Sequence, residues 1–211
     1  MKSLIKGFCL PFILLGAATA FAGTIKEYSA DWVDVQTGQV AAKIAATEKK
    51  MRVETKRDKS GKGAEGAVIL RLDQGKAYVL EADSKTYLEF PLKGDKMAPE
   101  ALSSLVPGAT YEQKMEKLGT ETVSGYQAEK FKITATVNVM GMTHTSTSLA
   151  WMAKEFDWAL RSQNNDKVQE MRNIKVGAQP ATLFEIPAGY KKNVEFEEMM
   201  KQMNNLKGMG K

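Results

Sequence analysis

Apolar and polar residues alternate with a period of two along most of this chain, and that period predicts strands. Ser29 to Val35 is the first such run, closed by the turn residues Gln36-Thr37-Gly38. Val40 to Thr47 and Met51 to Thr55 form the next pair, and a polar Gly- and Lys-rich loop follows from Lys56 to Gly66. Ala67 to Leu72, Ala77 to Glu81 and Thr86 to Phe90 are three more short runs, separated by Asp/Gly/Ser/Lys turns. Such spacing describes an antiparallel meander. Further strands are expected over Thr110 to Leu118, Glu121 to Val123, Ala128 to Val139, Thr143 to Lys154, Ala159 to Asn164, Val168 to Val176 and Thr182 to Ile186. Between Phe131 and Val139 the alternation is nearly strict, so one side of that strand faces a core or cavity and the other faces water.

Two stretches break the pattern. Pro99 suits a first helical turn, Leu102, Leu105 and Val106 share a face, and Pro107-Gly108 stops the run, which predicts a short crossing helix. After Tyr190 the period lengthens to three and four. Phe196, Met199, Met200, Met203 and Leu206 then form the stripe of an amphipathic helix, with Asn193 as its N-cap and a frayed tail beyond.

The first residues carry a different signal. Lys2 and Lys6 precede an apolar run from Phe8 to Ala18, and Ala20-Phe21-Ala22 follows with small residues at the spacing signal peptidase reads. The run is too short to span a bilayer, so residues 1–22 read as a secretory signal peptide, cleaved after Ala22, and the expected location is the periplasm. Cys9 is the only cysteine and lies within that leader, which leaves the mature chain without a disulfide or a thiol nucleophile. It is not placed in a small-residue lipobox, so no lipid anchor is expected. No second segment is apolar enough to cross a membrane as a helix.

Charge and chemistry narrow the function classes. The formal charge of +5 falls to about +3 once Lys2 and Lys6 leave, and the basic residues are scattered. A nucleic-acid partner is therefore not expected. His144 is the one histidine, and no nucleophile elbow, phosphate loop, dinucleotide fingerprint or zinc spacing is present. The chain reads as a non-enzyme without a cofactor. The alternative function is a periplasmic metal-binding or envelope-interaction protein without a small-molecule ligand: Met140, Met142 and His144 stand at alternate positions, and two thioethers with an imidazole suit Cu(I). A hairpin tip at Gly141 would scatter those side chains.

Four motifs in order carry a family resemblance. They are Arg71 to Leu80 with Lys85-Thr86-Tyr87, Gly119-Thr120-Glu121-Thr122-Val123-Ser124-Gly125-Tyr126, Trp151, and Phe184-Glu185-Ile186-Pro187-Ala188-Gly189-Tyr190. Together they resemble the exported bacterial domain of unknown function 4412, which is similar in plan to periplasmic lipoprotein carriers of the LolA/LolB type. The resemblance implies a mainly β (α+β) fold. Its strongly curved antiparallel sheet would form an incomplete barrel over residues 23–190, with the mid-chain helix and the C-terminal helix of 191–211 covering the open side. It also implies an apolar cavity for a lipid, an acyl chain or an acylated protein partner; no oligomeric state is assigned. Trp32, Val79, Tyr87, Leu102, Leu105, Phe131, Ile133, Val137 and Trp151 are expected to line that cavity. With Gly141 at a hairpin tip, Thr145 should stand near Val139 and Trp151 near Ile133 on the cavity side.

The leader yields the first testable outcome. The intact mass of the exported protein should correspond to a chain beginning at Gly23 with no acyl group; a retained leader or a diacylglyceryl mass on Cys9 would overturn the reading.

Overall fold

The computed structural model describes residues 24–56, 65–92, 110–139 and 142–198. Among them are β1 (Tyr28–Asp34), β2 (Val40–Thr47), β3 (Lys50–Thr55), β4 (Gly66–Arg71), β5 (Lys76–Glu81) and β6 (Thr86–Pro91). Then follow β7 (Thr110–Val123), β8 (Tyr126–Val139), β9 (Met142–Met152), β10 (Arg161–Asn164), β11 (Lys167–Val176) and β12 (Lys191–Lys192). All twelve belong to one sheet in the order β12-β6-β5-β4-β3-β2-β1-β11-β10-β9-β8-β7. The sheet is curled and open: β12 and β7 form its two edges and do not pair with each other. The expected mid-chain helix, with Leu102 and Leu105, lies outside the described residues, as do Met199, Met200, Met203 and Leu206 of the terminal stripe.

Local chemistry sets the hairpins. Asp34 Oδ1 accepts from the backbone N–H groups of Gln36 and Thr37 at 3.1 and 2.9 Å, closing the turn from β1 to β2. These bonds, that of Thr37 foremost, hold the Asp34 carboxyl below its usual range. Ser124 and Gly125 both take positive φ, 49° and 86°, as a two-residue hairpin between β7 and β8 requires. The Ser124 hydroxyl donates to the Met171 carbonyl at 2.6 Å and so ties that hairpin to β11. At Gly66 a Cβ would collide with the Leu80 carbonyl oxygen of the neighbouring strand, so only glycine fits there.

Three expectations need correction. Thr110 to Leu118 and Glu121 to Val123 are not separate strands; they are one strand, β7, with a bulge between Lys117 and Gly119 that absorbs Leu118. Thr182 to Ile186 is not a strand either. Ala181–Phe184 is a 3-10 turn within a segment that leaves β11 and reaches β6 on the far side of β1–β5. Pro180 and Pro187 flank this stretch and lack the N–H groups a ladder needs. The third correction concerns β8 and β9, which pair with Lys130 opposite Trp151 and Ile133 opposite Ser148. That register differs by three residues from the expected one, and an odd shift moves every side chain to the other face.

The crossing segment is a strap. Phe184, 1% exposed, packs with Ala45, Ala67, Ile69, Tyr78 and Leu80, while Leu183, Ile186, Tyr190 and Tyr87 border this cluster. Arg71, itself buried, holds the strap by charge. Its guanidinium donates to both Asp73 carboxylate oxygens at 2.9 Å, to Glu185 Oε1 at 2.8 Å and to the Phe184 carbonyl at 3.3 Å. Arg52 adds a bond to the Leu183 carbonyl at 3.3 Å. Beyond the strap, β12 pairs in parallel with β6, and the N–H of Phe196 donates to Asn193 Oδ1 at 3.1 Å, the expected N-cap. The Phe196 ring then meets Phe90 edge-on at 5.8 Å.

Removing the strap's apolar anchor should expose its contribution. Phe184→Ala is expected to cost about 3–5 kcal/mol in urea unfolding and to open a protease-sensitive site near residues 178–190. A loss below about 1 kcal/mol with unchanged proteolysis would mean that the strap is not docked.

Candidate functional site

Cross-strand partners in an antiparallel sheet share a face, so the pairings locate every expected site residue among those described. Val53, Val68, Val79 and Leu88 stand in one row across β3 to β6. Val53 lies two residues from Thr55, the partner of Ala42, which in turn opposes Trp32. On the other side Trp32 opposes Met171, two residues from Gln169, and the row Gln169–Ser162–Ala150–Phe131 leads to β8. Trp32, Val79, Phe131, Ile133 and Val137 therefore lie on one continuous face. Trp32 and Ile133 are fully shielded, and Val79, Phe131 and Val137 are half-buried.

Tyr87 does not join them, and Trp151 packs in the same apolar cluster as Trp32 without sharing the face of Ile133. Tyr87 sits on the strap side, edge-on to Tyr78 at 6.0 Å. Trp151 opposes Lys130 on one side and Arg161 on the other, which places it on the face away from Ile133. Its surroundings are ionic. The indole N–H donates to Glu121 Oε2 at 2.9 Å, Lys130 Nζ stands 4.8 Å from the ring centroid and Arg161 Cζ 5.4 Å. Arg161 also pairs with Glu170 at 2.7 Å.

The Trp32 face carries the largest apolar cluster, which includes Tyr28, Ile44, Met51, Leu70, Phe90, Phe156 and Trp158. Tyr28 meets Phe156 edge-on at 5.1 Å, and Phe156 meets Tyr126 at 4.9 Å. Polar atoms in this region are left over. The Tyr28 hydroxyl, the Trp32 and Trp158 indole N–H groups and Glu155 Oε2 are buried without a hydrogen-bond partner among the described residues. Burial, with the Asp157 charge second, pushes the Tyr28 hydroxyl far above its usual range, so it stays protonated.

At the hairpin end, Met142 is 73% exposed and His144 is exposed too, on the same face of β9 opposite Val139 and Val137. Met140 lies outside the described residues. Among the described residues no group of three or more His, Cys, Asp or Glu could hold a metal ion, and no helix is long and apolar enough to cross a membrane.

The family model described as a domain of unknown function, DUF4412, matches residues 32–158. The chain belongs to the DUF4412 family. No curated protein matches the sequence. Among solved structures, an uncharacterised conserved protein from Thermus thermophilus is similar at 11% identity and a TM-score of 0.47, over 80% of this chain and 90% of that one. MucB is similar at 14% identity and 0.35, over 84% of this chain and 62% of MucB. A chain of the Pseudomonas aeruginosa MucA/MucB complex gives 15% and 0.36, over 79% and 56%. The chain thus spans less than two thirds of the matched chain in each of these two structures.

Sequence reasoning missed Tyr28 and Phe156, and it had no means of showing that the Trp32 and Trp158 N–H groups are left without a partner among the described residues. Tyr28 was legible in principle, because it stands four residues before Trp32 in the same alternating strand. Phe156 and Trp158 lie in a loop between β9 and β10, where no period places a side chain.

Glu121 supplies a pH test. The Trp151 N–H first, and Lys130 next, hold its carboxyl below the usual glutamate range. A carboxylate depressed in the folded state adds stability above its unfolded value, about 4.3, and loses it as pH falls through the lower folded value. Glu121→Gln should therefore lower the Tm at pH 7, and the difference should vanish by about pH 3. Equal Tm values at both pH values would show that the carboxylate contributes nothing.

Proposed function

We propose that the chain is an exported periplasmic protein of binding or carrier type, processed after Ala22, whose Trp32 face takes a hydrophobic ligand such as a lipid or the acyl chain of a lipid-modified protein. The observation that carries this reading is the apolar face running from Leu88 on β6 through Val53 and Trp32 to Met171 on β11, along which Val68 and Val79 are only partly covered. Filled cores in sheets are covered on such a face by a second layer. Here the described layer is thin: the helix start at 194–198 brings Phe196 against Phe90, and the loop after β9 brings Phe156 against Tyr28. Val68 and Val79 remain half-buried between the fully shielded Val53 and Leu88. Apolar side chains left partly open inside a row of buried ones suit an acyl chain better than a polar substrate.

The role proposed is binding. The aromatic and aliphatic side chains hold the ligand by burial alone, at about 0.8 kcal/mol for each methylene removed from water. A chain of a dozen carbons is thereby enough for useful affinity without a single charged contact.

A headless probe reads this directly. A pyrene-labelled dodecane should bind the purified mature protein saturably, seen in the probe's own emission. Val79→Trp should abolish uptake while leaving the Tm within a few degrees, because its bulk enters open space. If wild type takes up no probe, or if Val79→Trp unfolds the protein as overpacking of a filled core does, the face is a core and the reading falls.

A further inference from the structure

We infer that the apolar interior around Tyr28, Trp32 and Trp158 is built for a neutral acyl ester, whose carbonyl oxygens accept from the Tyr28 hydroxyl and the two indole N–H groups. This inference rests on the carrier reading and specifies the head-group chemistry that reading leaves open.

Tyr28, Trp32 and Trp158 are 1%, 3% and 3% exposed and belong to one apolar cluster. Each has its polar atom unpartnered among the described residues. Native proteins pair the large majority of buried polar atoms, because an unmet buried donor has given up its hydrogen bonds to water without replacing them. One orphan in a core is an accident of packing. Three in one cluster, two of them indoles that can only donate, describe a demand for acceptors. Phenylalanine would fill each position without that penalty.

The electrostatics select among acceptors. A fatty-acid carboxylate would accept well, but Asp157 already acts on the Tyr28 hydroxyl through its negative charge, and Glu155 Oε2 is itself buried and unpartnered. A second anion there meets repulsion in a poorly screened interior. An ester offers two acceptor oxygens and no charge. Spacing adds a further constraint. Tyr28 and Phe156 are in ring contact at 5.1 Å, which places Phe156 at the Tyr28 end of β1. Trp32 stands about 13 Å further along β1, at roughly 3.3 Å for each residue. Esters at two depths, as in a diacylglycerol, match that separation better than one head group does.

Three matched probes test it: pyrene-labelled dodecane, the corresponding dodecanoic acid and its methyl ester, titrated at pH 8 into wild type and Tyr28→Phe. The ester should bind wild type about five- to tenfold more tightly than the alkane, as one recovered hydrogen bond predicts, and more tightly than the acid. Tyr28→Phe should remove most of that advantage and leave alkane binding unchanged. The ligand-free Tm of Tyr28→Phe should equal or exceed that of wild type, since no hydrogen bond within the protein is lost. Alkane binding without an ester preference would overturn this inference alone, as would tightest binding of the acid or a drop in the ligand-free Tm. Failure of all three probes to bind would overturn the carrier reading beneath it.

Discussion

Everything in this sheet depends on how the face of β2–β6 opposite Trp32 is kept from water. Ala45, Ala67, Ile69, Tyr78 and Leu80 are apolar on that face, while Met51, Val53, Leu70 and Leu88 are apolar on the other. A short-stranded meander with two apolar faces needs a cover on each. The chain supplies one cover itself by carrying residues 177–190 across five strands and pressing Phe184 into the surface. Arg71 fixes the crossing point. A buried guanidinium is tolerable only when its donors are met, and Asp73, Glu185 and the Phe184 carbonyl meet them from both the sheet and the strap. With that face closed, the Trp32 face is the one on which the proposed ligand site lies.

The sequence was most legible where a single period governed a whole element. The boundaries of β2 fall where the alternation ends, and β3, β5, β6 and β11 differ from the expected runs by one residue at an end. Phe131, Ile133 and Val137 share a face because they were chosen on one period within one strand. What failed was information that a period does not carry. The β8–β9 hairpin closes with Val139 opposite Met142, a tighter connection than a tip centred on Gly141 implied. That small difference in the turn moved Trp151 to the opposite face. Tyr87 failed for another reason: its strand is apolar on both sides, so alternation could not say which side held the cavity.

The strap shows the same limit from the other direction. Thr182 to Ile186 has the composition of a strand, and its Phe184 is among the most shielded side chains of the described residues, with Leu183 and Ile186 half-buried beside it. The apolar composition reflects a docked segment, but not one with a strand's conformation. A segment can bury one large side chain per turn while its backbone hydrogen bonds go elsewhere. Here the bonds pass to arginine side chains, which satisfy the Leu183 and Phe184 carbonyls that a ladder would otherwise have used.

The three tryptophans make the final distinction. Trp151, 3% exposed, is as buried as Trp32 and Trp158, and burial alone would rank them together. Their polar atoms separate them. The Trp151 N–H is taken by Glu121, and Lys130 and Arg161 lie over its ring, so both its hydrogen bonding and its aromatic surface are used within the protein. It is a structural residue that locks β7, β8, β9 and β10 to one another. Trp32 and Trp158 have the same ring and the same burial with the N–H unmet. A side chain whose interactions are complete has nothing left to offer a ligand, whereas one held rigidly with a donor unspent has its specificity already in place. On the proposed carrier reading, recognition would therefore lie with Trp32 and Trp158, whose N–H groups have no partner among the described residues, and not with the most elaborately bonded tryptophan.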